Sequence, residues 1–428
     1  MKSTTIKKLS PVLLILATAI LSGCNQGTLP QSNKGGDAIS YGQGAELPEE
    51  VRPNDATISL YQDRRLAFIE RRRGQGRLYT VQPIGNAKTF EQTPNLPSKT
   101  LDQALKEGYF LSYLYYDNGV IKYNGVAEEG RFNQDVNDEM LFYTHSTGKS
   151  ITSYILGHAI CEGYIESMDE VVDWPLMSKT LYQGQPIRNL LNMNAGDSHT
   201  VNKSANRVMG TKTHHRDMGL DKVASLLEGT KRKGNAVFYN NVLADILANY
   251  IVFKAGDNYD SLMRKVFQDK VKIAHPVSYE KHAKSFVGGD LSPYYGKPET
   301  LASYSYFMTR LDFLRVAEAM MKDYQNNTCV GQYLRESQDQ AMSWPKYRPT
   351  WEKAKLWLHN YARKYGSQFY FDFHGMSGRN IMATEGYNGQ NMLIDMDNSR
   401  IVVTNSAATA WDVRMFMLDV IETGILPD

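Results

Sequence analysis

Tyr143-Thr144-His145-Ser146-Thr147-Gly148-Lys149-Ser150 is the stretch from which the rest of the chain is read. It holds Ser-x-x-Lys, with Ser146 and Lys149 three residues apart. It also opens Lys149-Ser-Ile-Thr-Ser-Tyr-Ile-Leu-Gly-His-Ala-Ile160, whose apolar residues recur at helical spacing. Residues i and i+3 share one face of a helix, so this spacing sets a hydroxyl beside an ammonium. A serine hydroxyl is inert at neutral pH until a neighbouring base takes its proton, and a lysine whose charged form is disfavoured by burial can be that base. A second Ser-x-x-Lys, Ser278-Tyr279-Glu280-Lys281, is read as accidental, so the motif gains weight only from its company.

Composition narrows the field. The 428 residues are 42% hydrophobic and 22% charged, ordinary for a globular enzyme and enough for one two-lobed domain or two smaller ones. Net charge is +2, but Lys2, Lys7 and Lys8 lie at the extreme N-terminus, and residues 24–428 carry 45 basic against 46 acidic side chains. With no basic block or nucleic-acid fingerprint, nucleic acid is set aside as a partner. Those three lysines precede the apolar run Pro11–Leu21, too short for a comfortable membrane span, so residues 1–23 read as a secretory signal. The run ends in Leu21-Ser22-Gly23-Cys24, which resembles a bacterial lipobox. That resemblance implies cleavage before Cys24, its lipidation, and an enzyme tethered on the periplasmic side of the cell envelope. Asn25 in place of Asp favours the outer membrane if the cell is Gram-negative. Of the other cysteines, Cys161 sits in an apolar helical pattern and reads as a buried free thiol, although Cys161 and Cys329 could pair in an oxidising compartment. No Cys/His spacing suggests a metal, and no cofactor is expected.

Organisation follows from pattern. Residues 24–55, rich in Gly, Gln, Asn, Ser and Pro, read as a flexible tether. Residues 56–95 read as an N-terminal extension with short strands, among them Ile58–Tyr61 and Arg77–Val81, and with Glu70-Arg-Arg-Arg73 as a solvated turn. A helix is expected over Leu101–Tyr109. A β-hairpin follows from Phe110–Tyr116, the turn signal Asp117-Asn118-Gly119 and Val120–Asn124. From about 150 to 320 the pattern is mostly helical. Strands return at Gln368–Phe373, Asn391–Asp395 and Arg400–Thr404, and a helix over Ala410–Thr423 closes the chain. Strands at both ends around a helical middle predict an α/β (α+β) architecture, an antiparallel sheet flanked by helices with an inserted helical lobe.

Three further segments accompany Ser146 in order. Pro186-Ile-Arg-Asn-Leu-Leu-Asn-Met-Asn-Ala-Gly196 resembles the Thr-x-Arg-x-Leu-Leu-x-Met-x-Ser-Gly segment of class C β-lactamase-related serine hydrolases. Phe238-Tyr239-Asn240-Asn241 fits that family's Tyr-x-Asn, and Gly386-Tyr-Asn-Gly389-Gln390 is similar to the glycine turn and strand lining the far wall of its site. Asp117-Asn-Gly-Val-Ile and Thr309-Arg-Leu-Asp312 add to a likeness spanning roughly residues 97–425, within a hydrolase domain over 96–428. The resemblance implies a β-lactamase/transpeptidase-like fold and an acyl-serine mechanism. Ser146 would be the nucleophile, and Lys149 and Tyr239 would share the proton work, with the base left open between them. Asn241 would orient Lys149 or the substrate. Thr384, Gly386 and Tyr387 would form the wall, and the backbone N–H groups of Ser146 and Tyr387 the oxyanion hole.

The chain departs from that family at the wall. Where β-lactamases and peptidases place Lys-Thr-Gly or His-x-Gly, this chain has Thr384-Glu385-Gly386, which would receive a substrate carboxylate poorly. Lys364-Tyr365-Gly366 fits a loose Lys-x-Gly but lies too early. The sequence therefore resembles the esterase, amidase and 6-aminohexanoate-dimer hydrolase branch. A D-amino-acid peptidase or β-lactamase, and a non-catalytic binding lipoprotein of the same fold, stand as the rival readings. His145, next to the serine in sequence, reads as structural, while His374 either lines the pocket or is a solvated turn residue.

Overall fold

The structure, a computed structural model, describes residues 54–202, 207–208, 210–211, 213–287, 297–301, 305–351 and 354–428. The leader, Cys24 and nearly all of the expected tether lie outside these residues. From the N-terminal side the described chain runs through α1 (Asp55–Gly74), β1 (Leu78–Val81), β2 (Glu91–Gln92), α2 (Lys99–Glu107), β3 (Phe110–Asp117), β4 (Val120–Val126), β5 (Leu141–Tyr143) and α3 (Thr147–Cys161). The middle contains α4 (Ile187–Leu191), β6 (Val201–Asn202), β7 (Arg207–Val208), α5 (His215–Met218), α6 (Leu220–Leu226), α7 (Asn241–Ala255) and α8 (Tyr259–Arg264). Next come β8 (Val277–Phe286), β9 (Pro298–Thr300), β10 (Tyr306–Thr309), α9 (Arg310–Gln325), α10 (Cys329–Asp339) and β11 (Met342–Ser343). The last part is β12 (Ala362–Gly366), β13 (Phe369–Phe373), β14 (Ile381–Gly386), β15 (Gln390–Asp395), β16 (Arg400–Ser406) and α11 (Asp419–Thr423).

Among the described residues a nine-stranded sheet has the order β11-β12-β13-β14-β15-β16-β3-β4-β2, antiparallel throughout except where β2 joins β4. Both ends of the chain thus build one sheet, as the α/β expectation requires. Its centre is covered on both faces: every residue of β15 is buried, α3 and α9 pack on one set of contacts, and α11 lies on β15 and β16. The β3–β4 hairpin turns through Asn118 and Gly119, both at positive φ (49° and 95°), the geometry that an Asn-Gly pair adopts at low cost.

A second sheet, β1-β8-β10-β5 with β9 on β8, departs from expectation. Residues 56–95 do carry short strands, β1 at the expected Arg77–Val81 and β2, but they begin with a helix. Ile58–Tyr61 is helical, and Glu70-Arg-Arg-Arg73 is the last turn of α1. Asn54 caps this helix reciprocally with Thr57, and Ile58, Tyr61, Arg65, Phe68 and Ile69 bury one face at helical spacing. Then β1 pairs with β8, register Tyr79↔Tyr279, so the segment is built into the body of the protein. The helical middle likewise contributes three strands to this sheet. Within it β5 leads directly into the Ser146 turn, and the Thr144 N–H donates to the Tyr306 carbonyl at 2.9 Å. Among the described residues no helix is long and apolar enough to cross a membrane.

Helix α3 is held along its length. Ser150 Oγ donates to the Gln368 carbonyl (2.6 Å), Ser153 Oγ meets the Tyr333 hydroxyl (2.7 Å), and Tyr154 donates to Asp323 (2.6 Å). Gly157 lies so close to Tyr333 that a Cβ would come within 2.6 Å of the ring, so only glycine allows α10 this approach. At the far end Cys161 is not a free thiol: it is disulfide-bonded to Cys329 at the start of α10, 168 residues away. Helical periodicity placed Cys161 near the core but could not reveal a partner so distant in sequence. Replacing both cysteines by alanine should cost about 2–4 kcal/mol of stability, because a long loop is freed in the unfolded chain. Chemical denaturation of the double variant beside the wild type checks this, and equal midpoints would deny the bridge a stabilising role.

Candidate active site

Ser146 is the N-cap residue of α3, with helical φ and ψ (−65°, −14°), and follows His145 at φ 47°. This sharp turn leaves Ser146 partly exposed, while residues 142–145 and 147–150 are buried. The helical i, i+3 relation places Lys149 Nζ 2.9 Å from Ser146 Oγ, as the spacing predicts. The second Ser-x-x-Lys lies on strand β8, where i and i+3 point to opposite faces, and Ser278 is bonded to Thr80 Oγ1 instead.

Tyr239 comes from the loop before α7. Its phenol shares a hydrogen bond with Ser146, and its ring lies 5.1 Å from Lys149 Nζ. The loop is built on the Pro186–Gly196 segment: the Phe238 N–H donates to the Met193 carbonyl at 2.7 Å. Asn240 caps α7 by accepting from Leu243 and donates to Asp197, which also accepts from Tyr182 (3.0 Å). Asn241, the first residue of α7, is buried beside this loop. The two segments that share a family likeness in sequence are thus neighbours in space.

The third wall is the end of β14. Gly386 stands where a Cβ would meet the Thr144 carbonyl at 2.4 Å, which lets this strand abut the Ser146 turn. Tyr387 follows, its ring 5.7 Å from that of His145, which also lies edge-on to Tyr143 at 4.6 Å. Thr384 is fully buried and sits behind the turn. Its hydroxyl meets Thr147 Oγ1 (3.1 Å) and accepts from the Met392 N–H (3.2 Å), so it joins β14 to α3 instead of facing solvent. Glu385 points the other way and is engaged by a residue that sequence reasoning missed: His359 Nδ1 lies 2.5 Å from its carboxylate, and the Leu358 and His359 N–H groups donate to it. His359 arrives on a short helical turn, Leu358–Asn360, with no motif to announce it. His374 is bonded to the Tyr347 hydroxyl at 2.7 Å, away from these contacts. Lys364-Tyr365-Gly366 lies on β12, two strands from β14.

Electrostatics separate the two proton-carrying groups. Burial lowers the pKa of Lys149 to about 7, with Asp245 opposing and Arg216 assisting. Asp245 lies one helical turn beyond Asn241 and is paired to His215 at 2.7 Å, with Arg216 at 3.8 Å. The spacing from Asn241 was visible in the sequence, but nothing there signals the pairing with α5. Burial pushes Tyr239 the opposite way, well above the ordinary phenol range. The bond from Ser146 opposes this shift and the Glu385 carboxylate adds to it. Among the described residues no cluster of His, Cys, Asp and Glu could hold a metal ion.

No protein-family model matches the chain, and no curated protein sequence does. Solved structures share its fold. A candidate 6-aminohexanoate-dimer hydrolase from Bacillus anthracis aligns with TM-score 0.54 at 13% identity, over 81% of this chain and 88% of its own. A candidate β-lactamase from Bacteroides dorei gives 0.51 at 16%, over 76% and 96%. A penicillin-binding protein from Bacillus halodurans gives 0.51 at 15%, over 74% and 97%. The fold is therefore of the β-lactamase and penicillin-binding-protein type, as the sequence resemblance implied.

Lys149 should titrate near pH 7, charged below and neutral above, far from the ~10.4 of a solvated lysine. NMR of the protein labelled with ¹³C at lysine Cε reads that midpoint, and titration at the ordinary value would contradict the buried geometry.

Proposed function

We propose that this chain is a serine hydrolase that opens ester or amide bonds through an acyl-serine intermediate. The observation that carries the reading is a desolvated lysine amine 2.9 Å from a partly exposed serine hydroxyl at a helix N-terminus. Neutral Lys149 takes the Ser146 proton as Oγ attacks the carbonyl carbon, and the carbonyl π pair moves onto oxygen. Backbone N–H groups of Ser146 and Tyr387 are the oxyanion donors we assign, because the Gly386 approach brings their two turns together. Tyr239, kept protonated by its surroundings, gives its proton to the departing oxygen or nitrogen as that bond breaks. It is restored by the proton held on Lys149. Water then enters in place of the leaving group, and the same groups act in reverse to release acid and free Ser146. Among the two groups that the sequence left undecided, Lys149 is thus the base and Tyr239 the acid. Asn241 orients this pair.

The third wall supports esters and amides over peptides ending in a free carboxylate, since it carries Glu385 and no lysine at the position of Thr384. We further propose a lipid-anchored protein of the cell envelope. The lipobox-like Leu21–Cys24 and the Cys161–Cys329 disulfide, a bond favoured outside the cytosol, both support this placement.

Intact mass spectrometry after reaction with an uncharged fluorophosphonate tests the chemistry. One adduct is expected on the wild type and none on Ser146→Ala, while no adduct on a folded wild type would favour a binding protein. With an ester substrate, kcat/KM should rise about tenfold per pH unit up to about 7 and then level, because only neutral Lys149 is competent. For location, the Cys24→Ser variant should leave the membrane fraction that holds the wild type. Equal partition of the two would deny the anchor.

A further inference from the structure

Glu385 is a charged group at this site that takes and gives no proton in the proposed mechanism. On β14 it faces away from Thr384, which is bonded to α3. Strand β13 pairs with β14 at Met382 and Ala383 but with none of Thr384, Glu385 and Gly386, so β14 is unpaired by β13 where it abuts the Ser146 turn. The carboxylate is fixed from behind: Oε1 accepts from the Leu358 N–H (2.6 Å), and Oε2 accepts from the His359 N–H (3.3 Å) and meets His359 Nδ1 (2.5 Å). All three partners come from one short helical turn, Leu358–Asn360, so the group is held in place, and Tyr239 lies near enough to feel its charge. Tyr239 in turn bonds Ser146, and Gly386, next to Glu385 on β14, lies against the Ser146 turn. The surroundings are aromatic: the Trp344 ring is 6.1 Å from Tyr239 and 6.0 Å from His359, and Tyr370 is 6.1 Å from His359.

We infer that Glu385, clamped by His359, is a specificity-determining residue that turns away substrates bearing an anionic group beside the scissile bond and admits neutral or amine-bearing ones. This rests on the serine-hydrolase reading above. Thr384 cannot compensate as a receptor, since its hydroxyl is spent within the protein. Carboxylate-terminated peptides and amides are accordingly poor substrates, whereas uncharged esters and amides and those carrying an ammonium are good ones.

The test is a series of thioesters of equal chain length ending in methyl, amine or carboxylate, assayed at low salt. For the wild type, kcat/KM for the carboxylate member should fall at least about tenfold below the methyl member. It should recover only in part, and only as salt is raised to about 1 M, where the screening length falls to about 3 Å. In Glu385→Gln the carboxylate-to-methyl ratio should rise by about tenfold, circular dichroism confirming the fold. The salt series on the wild type stands even if that variant does not fold. Hydrolysis of both members at equal rates, insensitive to salt, would overturn the inference while leaving the hydrolase intact. Absence of hydrolysis together with absence of a fluorophosphonate adduct would overturn the hydrolase reading, and this inference with it.

Discussion

The burial of one ammonium organises this protein. Lys149 sits at 1% exposure with its nitrogen 2.9 Å from the Ser146 hydroxyl, and desolvation, not a neighbouring charge, is the largest influence on it. A solvated lysine would stay protonated and useless as a base near neutral pH. Keeping water from it requires walls on every side, and the fold supplies them from distant parts of the chain: α3 itself, α7 with Asp245, α5 with Arg216, and the Tyr239 loop. Asp245 limits the effect, since a buried lysine with no opposing charge would lose its proton too readily to remain a strong base.

The same environment acts in opposite directions on the two groups that flank Ser146. Burial disfavours whichever form is charged, so it deprotonates the lysine and protonates the tyrosine. Glu385 strengthens the second effect. In the proposed mechanism this division assigns acceptor and donor before a substrate arrives, which is how environments divide acid from base elsewhere.

Much of this was legible in the sequence, for reasons that can be named. The i, i+3 spacing of Ser146 and Lys149 is a property of a helix, and the Asn118-Gly119 turn is a property of two residues able to adopt positive φ; such local signals translate directly. Likewise Phe238–Asn241 and Pro186–Gly196 were recognised separately, and the structure joins them through Met193 and Asp197. What was missed depends on tertiary context. Ile58–Tyr61 has strand-like composition, but Asn54 caps a helix and Ile58, Tyr61, Arg65 and Phe68 share its buried face. The apolar pattern around Cys161 suggested a core thiol, and its partner lies 168 residues further on. Glu385 was visible as an anomaly, yet His359 could not be foreseen, because a residue on so short a turn carries no periodicity to tell where it will land.

Ser146 stands on a seam. The strand that delivers it, β5, belongs to one sheet and is fixed by Tyr306, while β14, which closes on the turn through Gly386, belongs to the other. Each sheet draws on strands far apart in sequence, β1 with β8 in the first and β3 with β16 in the second. Pairings across such separations form slowly, because chain entropy is lost before contacts repay it. The nucleophile turn can take its final shape only after both sheets exist and have met. On the proposed mechanism, reactivity at Ser146 is therefore among the last properties the folding chain acquires, and a partly folded chain carries the serine without the power to use it.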